Sequence, residues 1–408
     1  MTLATSQQNI PELAAAYEEA AALFNRLHPD VEARIVDLPV GQGSTVDRLI
    51  AAVAAGVAPD IVYLPSSSLA HDLFQRGISI DLAPILERLP EWRPDDHLPM
   101  FIETFRWKGH LIGLPGILQE ASILFWNRES FESVGLDGTR PPTGLYDLLE
   151  NYTAKLTQIA PDGRVEKLAF RPLSSWFYGF NLPFWFGADV YDPATNRLTL
   201  DTEPMHRMLD WLQEITRIQG GHDAIIQSGD PWFGQFANGG LAMFQTHSYL
   251  PDFGAPEMVV GEELLVGPPV LSEGATNAGT LAGTDATIVL RTAGDPLAAV
   301  KFAHFLILGE GSRVMTRPWQ SISASRSINF DNYETWDARR RYIADAQFAA
   351  FESARAFPAL PEVTRLHDGL ARVIVEVVTG QTAPIAGLQE LERTLQAVLD
   401  ERAAESGP

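Results

Sequence analysis

Three times in the first 80 residues a short apolar or β-branched run gives way to a segment with helical spacing, and this alternation limits the fold more than any other feature. Thr2-Leu3-Ala4-Thr5 reads as a strand; Asn9 and Pro11 then open a helix whose Leu13, Tyr17, Ala20, Phe24 and Leu27 share one stripe. Val31 to Leu38 reads as a second strand packed by helices. Ser44 with Asp47 resembles a capping box for a helix bearing Leu49, Ile50 and Val53, which Gly56 ends. Ile61-Val62-Tyr63-Leu64 is a buried-strand run, and Ser68 is a candidate N-cap for a helix that carries Leu69 and Leu73 and closes at Gly77. Such repetition implies a parallel sheet with right-handed helical crossovers, an α/β fold.

At 408 residues the chain exceeds the usual size of one hydrophobic core, so two lobes are expected. Leu111 to Pro115 and Ile123 to Trp126 are apolar runs separated by the polar pair Gln119-Glu120, which makes this stretch a candidate crossing between lobes. A helical pattern runs from Pro204 through Met208 and Leu212 to Ile215, and the tail from Glu362 onward is Ala- and Glu-rich and helical.

Fifty-two acidic against thirty basic side chains give a formal charge of −22, which repels phosphate backbones and anionic lipid, so no nucleic acid partner is expected. The absence of cysteine excludes disulfides and thiolate chemistry and is compatible with an oxidising compartment. Gly41-Gln42-Gly43-Ser44-Thr45 lacks the lysine of a phosphate loop, the nine histidines form no HExxH, and no serine sits in GxSxG. Neither a metal nor a cofactor is therefore expected, and no catalytic residue is assigned. A pair such as Glu103 and Glu120 would serve a glycosidase only if placed across a cleft, which spacing does not indicate.

The order of segments resembles that of the family 1 extracellular solute-binding proteins of ABC importers, the class of maltose- and trehalose-binding receptors. The fragments that carry the likeness start with Phe24 to Val31, which ends in His-Pro-Asp-Val, and Leu49 to Leu64, LIAAVAAGVAPDIVYL. Gly109 to Pro115, Leu124 to Phe131 and Gly135-Leu136-Asp137 follow. Phe236 to Phe244, Gly283 to Ile288 and Asp295 to Leu306 complete the series, with Ser248-Tyr249 where the family usually has Ser-Trp. Each fragment is weak alone, and their order and spacing carry the resemblance. It implies a two-lobed periplasmic-binding-protein fold (type II-like), each lobe a mainly parallel sheet flanked by helices, joined by crossing hinge segments. Residues 1–110 plus 284–326 would form one lobe and 111–283 plus 327–408 the other, with the ligand cleft between them. It further implies a monomer located outside the cytoplasm, a processed export signal, capture of a small solute by hinge closure, and delivery to the transmembrane subunits of an ABC permease.

A pyranose offers hydroxyls that donate and accept, and a face of C–H bonds, so a sugar site needs carboxylates or amides beside flat rings. In α/β folds, ligands lie at the carboxyl ends of strands. On these grounds the polar candidates are Gln7, Gln8, Ser66, Ser67, Glu120, Asp285 and Gln320, with Gly283 beside them. The stacking candidates are Trp176, Trp185, Trp232, Tyr249 and Trp319. Any of these rings could equally serve the core, and Ser66 and Ser67 could merely cap a helix. Alternatives are a receptor for a glycerol phosphate ester, with Arg171 or Arg326 as anion donor, a glycan-active enzyme, or an interaction scaffold.

Overall fold

The computed structural model describes residues 1–38, 45–174, 178–229, 234–360 and 362–405. The strands of its two principal sheets, in chain order, are β1 (Thr2–Thr5), β2 (Arg34–Asp37), β3 (Ile61–Leu64), β4 (Leu114–Glu120) and β5 (Ile123–Asn127). They continue with β6 (Gln158–Ile159), β7 (Val165–Phe170), β8 (Leu241–Thr246), β9 (Leu264–Gly267) and β10 (Gly283–Val289). The chain divides into two units. Unit 1 comprises Met1–Glu120, Ala282–Asp337 and Ala356–Pro361, and unit 2 comprises Ala121–Leu281, Ala338–Arg355 and Glu362–Pro408.

Unit 1 is built on a sheet of order β2-β1-β3-β10-β4. β1 pairs in parallel with β2 and β3, whereas β10 is antiparallel to both β3 and β4, so four strands run one way and β10 alone is reversed. The helix Pro11–Leu27 buries Leu13, Tyr17, Ala20 and Phe24 as the stripe predicted, but Leu27 is 53% exposed, beyond the reach of the sheet. Phe24 packs against Phe302 and Phe305 of the helix Pro296–Ile307 at 4.8 and 5.2 Å. β3 is buried along its whole length and β2 is mostly exposed, which corrects the expectation of a helix-covered second strand: β2 is the outer strand of the sheet. Ser66, rather than Ser68, caps the helix Ser67–Gln75, accepting a hydrogen bond from the Ser68 amide at 3.3 Å. Ser44 lies outside the described residues.

The register between β10 and β4 slips opposite Asp285. Gly283 faces Glu120 and Thr284 faces Gln119, but Ala286 faces Pro115, leaving the chain around Gly116 bulged. The bulge has its own partners, since the Gly116 amide donates to Thr284 Oγ1 at 3.2 Å and Gln119 Nε2 donates to the Gly116 carbonyl at 2.9 Å.

Unit 2 carries a sheet of order β9-β5-β8-β7-β6. Only the β8–β7 pair is parallel, so this lobe departs from the mainly parallel sheet expected of both. A tight connection accounts for one of the antiparallel pairs: β6 and β7 are joined by five residues, too few for the crossover a parallel pair needs. The helix Glu203–Ile218 buries Met205, Met208, Leu209, Trp211, Leu212 and Ile215. Trp211 Nε1 donates to the Leu145 carbonyl at 2.8 Å.

The structure sets the first division after Glu120 instead of residue 110, because Leu114–Glu120 is a strand of the unit 1 sheet. The division expected after 283 falls after Leu281. Asn329 holds the helix Arg326–Thr335 in unit 1 through the Ser323 amide at 2.7 Å, which moves the division expected at 326 to Asp337. Ala356–Pro361 returns to unit 1, where the Phe357 amide donates to Thr104 Oγ1 at 3.1 Å.

Candidate functional site

At the carboxyl end of β1, Thr5 Oγ1 accepts the Gln7 amide hydrogen at 3.1 Å and so caps the short 3-10 turn Ser6–Asn9. The turn aims the Gln7 side chain back across the sheet. Its Nε2 donates to Tyr63 Oη at 3.2 Å, while its Oε1 accepts from Tyr17 Oη at 3.1 Å. Tyr63 in turn donates to Asp285 Oδ2. Hydroxyl and amide protons along Tyr17, Gln7, Tyr63 and Asp285 thus all point the same way, toward the carboxyl group. Tyr17 and Tyr63 meet edge to face, with centroids 6.3 Å apart at 79°.

This chain is built into the core. Tyr17 is 0% exposed, Tyr63 1% and Asp285 6%. Burial pushes the Asp285 carboxyl up to about 6, against the opposing pull of the Tyr63 hydrogen bond. Burial also holds the Tyr63 phenol well above its ordinary range, reinforced by the Asp285 charge. Gly116 makes the approach sterically feasible: a Cβ there would lie 2.5 Å from Asp285 Cβ and 3.0 Å from Tyr63 Oη. Sequence reasoning missed Tyr17 and Tyr63; a glycine inside a strand run and a phenol on a buried strand are the signals that could have found the relay, because a buried tyrosine hydroxyl must find a partner.

The remaining unit 1 candidates flank this group along the same end of the sheet. Glu120, the last residue of β4, is buried and paired in register with Gly283. Ser66 is committed to its helix cap and Ser67 is buried behind it, after the strand whose Leu64 faces Ala286. Gln8 Nε2 and Gln119 Oε1 are buried polar atoms with no hydrogen-bond partner. Trp319 and Gln320 are half-buried; Gln320 adopts a left-handed backbone (φ 47°), and the next residue, Ser321, donates through Oγ to the Ile117 carbonyl of β4 at 3.4 Å.

In unit 2, Tyr249 is half-buried just past the carboxyl end of β8. Trp185 is 0% exposed and packs on Phe170 with centroids 6.3 Å apart, so its ring has no open face for a solute. The helix Tyr178–Trp185 has seven of its eight residues buried and no solvent-facing polar stripe, so Trp185, expected to stack on a ligand, lies in the core. Trp176 and Trp232 lie outside the described residues. Arg171 is buried, with Nη1 donating to Gln235 Oε1 and the Gly229 carbonyl, and Arg326 Nε donates to the His97 carbonyl at 3.2 Å. Both guanidinium groups therefore have structural acceptors. Among the described residues no group of three or more His, Cys, Asp or Glu side chains is arranged to hold a metal ion, and no helix is long and apolar enough to cross a membrane.

Comparison with known proteins places this geometry. The chain is similar to the sugar-binding protein MalE from Xanthomonas citri, at 16% identity and a TM-score of 0.79, covering 98% of this chain and 97% of that one. It is similar to CpMnBP1 with mannobiose bound, at 18% identity and a TM-score of 0.74, over 96% and 98% of the two chains. The substrate-binding protein Lmo0181 from Listeria monocytogenes, in complex with cycloalternan, matches at 16% identity and a TM-score of 0.74 over 98% of both chains. At these identities the likeness concerns the two-lobed α/β fold. A segment of 154 residues, 36% of the chain, is 27% identical to the sn-glycerol-3-phosphate-binding periplasmic protein UgpB of Pectobacterium atrosepticum, and the match spans about a third (32%) of that relative's length. The sequence profile of the bacterial extracellular solute-binding proteins matches residues 7–311, most of the chain, and the protein belongs to that family.

Proposed function

We propose that the chain is the receptor of a bacterial ABC importer that captures a neutral carbohydrate, a mono- or oligosaccharide, by hinge closure. It delivers the sugar to the transmembrane subunits of its permease, works outside the cytoplasm as a monomer, and performs no chemistry on its ligand. The observation that carries the carbohydrate reading is the end of the unit 1 sheet, where two buried carboxyl groups, Asp285 and Glu120, stand with the amides of Gln7, Gln8 and Gln119. Hydroxyl groups satisfy such a mixture of acceptors and donors, because each O–H can do either. The family membership supports the receptor role, and MalE, CpMnBP1 and Lmo0181 support a sugar over other solutes.

The local match to UgpB favours a second reading, a glycerol phosphate ester. A phosphate dianion would face the Asp285 carboxyl group at this edge, and the two arginines considered as its donors already serve protein acceptors. The carbohydrate is the better fit. Thermal shift against maltose, mannobiose and sn-glycerol 3-phosphate discriminates the two: a rise in Tm with a sugar alone is expected, and a rise with the phosphate ester alone would replace this reading.

A further inference from the structure

We propose that the hydrogen-bonded chain of Tyr17, Gln7, Tyr63 and Asp285 holds a proton that the solute displaces, so that capture in unit 1 is linked to pH. The inference rests on the reading of this edge as the solute site. Its basis is the polarity of the chain: Tyr17 fixes the Gln7 amide by donating to Oε1, Gln7 donates to Tyr63, and Tyr63 spends its only hydroxyl proton on Asp285. Once so committed, Tyr63 gives Asp285 one donor. A carboxylate buried to this degree needs more than one to stay ionised, and the neutral acid needs none.

Among the described residues no cation stands ready to take the second place. Facing Asp285 are Tyr63 from β3, Tyr17 from the helix Pro11–Leu27 and the bare Cα of Gly116 in β4, with Glu120 at the end of that strand. His71, on the helix Ser67–Gln75, is bonded to the Thr104 carbonyl at 2.9 Å. Lys301 and His304, on the helix Pro296–Ile307, belong to a separate cavity of unit 1 lined by His28, Glu91 and His97, where Lys301 meets Glu91 at 3.6 Å. A solute hydroxyl that donates to the second Asp285 oxygen is therefore the group that ionises it. The proton leaves to solvent, the carboxylate keeps the electron pair, and the solute O–H replaces the lost stabilisation. By linkage, what drives the proton out on binding also makes binding tighter as pH rises. Burial sets the carboxyl to titrate at about 6, near enough to neutrality for the effect to be read.

The test uses maltose as probe, with calorimetric titration at pH 5.0 and 7.5 in buffers of different ionisation heat. If the bound carboxyl returns to its ordinary range of about 4, affinity should be about tenfold higher at pH 7.5, and about 0.7 proton should be released per maltose at pH 5.5. Asp285→Asn should flatten the pH dependence. Tyr63→Phe, which removes the one donor, should move its midpoint upward, a shift that loss of packing alone would not produce. Binding of maltose with the same affinity at both pH values overturns the inference and leaves the receptor reading intact. Failure of maltose to bind counts against maltose as the solute, and infrared spectra of the free protein then decide this point. A protonated carboxyl band at pH 5 that is absent from Asp285→Asn supports the stored proton, and no such band overturns it.

Discussion

Gly116 and Asp285 oppose each other across a register slip, and each constrains what the other can be. Replacing Gly116 by alanine puts a methyl group 2.5 Å from Asp285 Cβ, so the strand or the relay must shift. We expect Gly116→Ala to cost about 1–3 kcal/mol, read as a lower Tm, and to weaken solute binding with it. Asp285→Asn should act in the opposite direction on the free protein. The folded state holds the Asp285 proton up to about pH 6, whereas the unfolded chain loses it near 3.8, so ionisation makes this side chain a burden that is full above about pH 6 and absent below about pH 4. The asparagine variant should therefore gain on the order of 2–3 kcal/mol at pH 7.5 and nothing at pH 4, which denaturation at the two pH values would check. From the sequence, Gln7 was legible as a polar residue after a strand and Asp285 as a polar candidate. Tyr17 and Tyr63 were not, because helical and strand periodicity assigns them to the core, where they do lie, and says nothing of where a phenol oxygen points.

Among the elements, the helix Tyr178–Trp185 shows how an aromatic cluster misleads. Seven of its eight residues are buried, and Trp185 closes on Phe170 and β7. Trp185→Ala should cost about 3–5 kcal/mol of unit 2 stability by leaving a cavity, measured as a lower denaturation midpoint, with any loss of binding following from unfolding. Aromatic composition alone could not separate a wall of the core from a platform for a sugar. Strand and helix order was the better guide: β1, β3 and the helices after them lie where the apolar periodicity placed them, since local pattern and burial agree there. The reversed β10 was not readable, because its pairing joins residues more than 160 positions apart. Unit 1 also carries three buried histidines, His71, His97 and His304, each lowered to about 4, first of all by burial. The unfolded chain takes up protons at these positions from about pH 6.5 downward while the folded unit resists, so stability falls as pH drops from 6.5 toward 4. Each histidine costs on the order of 2 kcal/mol at pH 5, against about 1 kcal/mol recovered from Asp285, and the histidines win. Thermal melts should show Tm falling on acidification; a Tm that rises between pH 6.5 and 5 would contradict this balance.

For the whole molecule, the two-unit division and the family followed from length and from the order of fragments, and the profile match and the solved relatives agree with both. The division points were less legible because a crossing segment is defined by which sheet it joins, as Leu114–Glu120 shows by completing the unit 1 sheet. A charge of −22 favours a neutral solute over an anionic one through long-range repulsion. A ligand that binds the folded state alone should add about 2.7 kcal/mol of stability at one hundred times its Kd. Isothermal titration of the protein with maltose, mannobiose and sn-glycerol 3-phosphate in parallel tests the central claim most directly. Saturable one-to-one binding of a sugar, weakened at least tenfold by Gln7→Ala, is the result expected; heat from the phosphate ester alone, or sugar binding indifferent to Gln7, would contradict it.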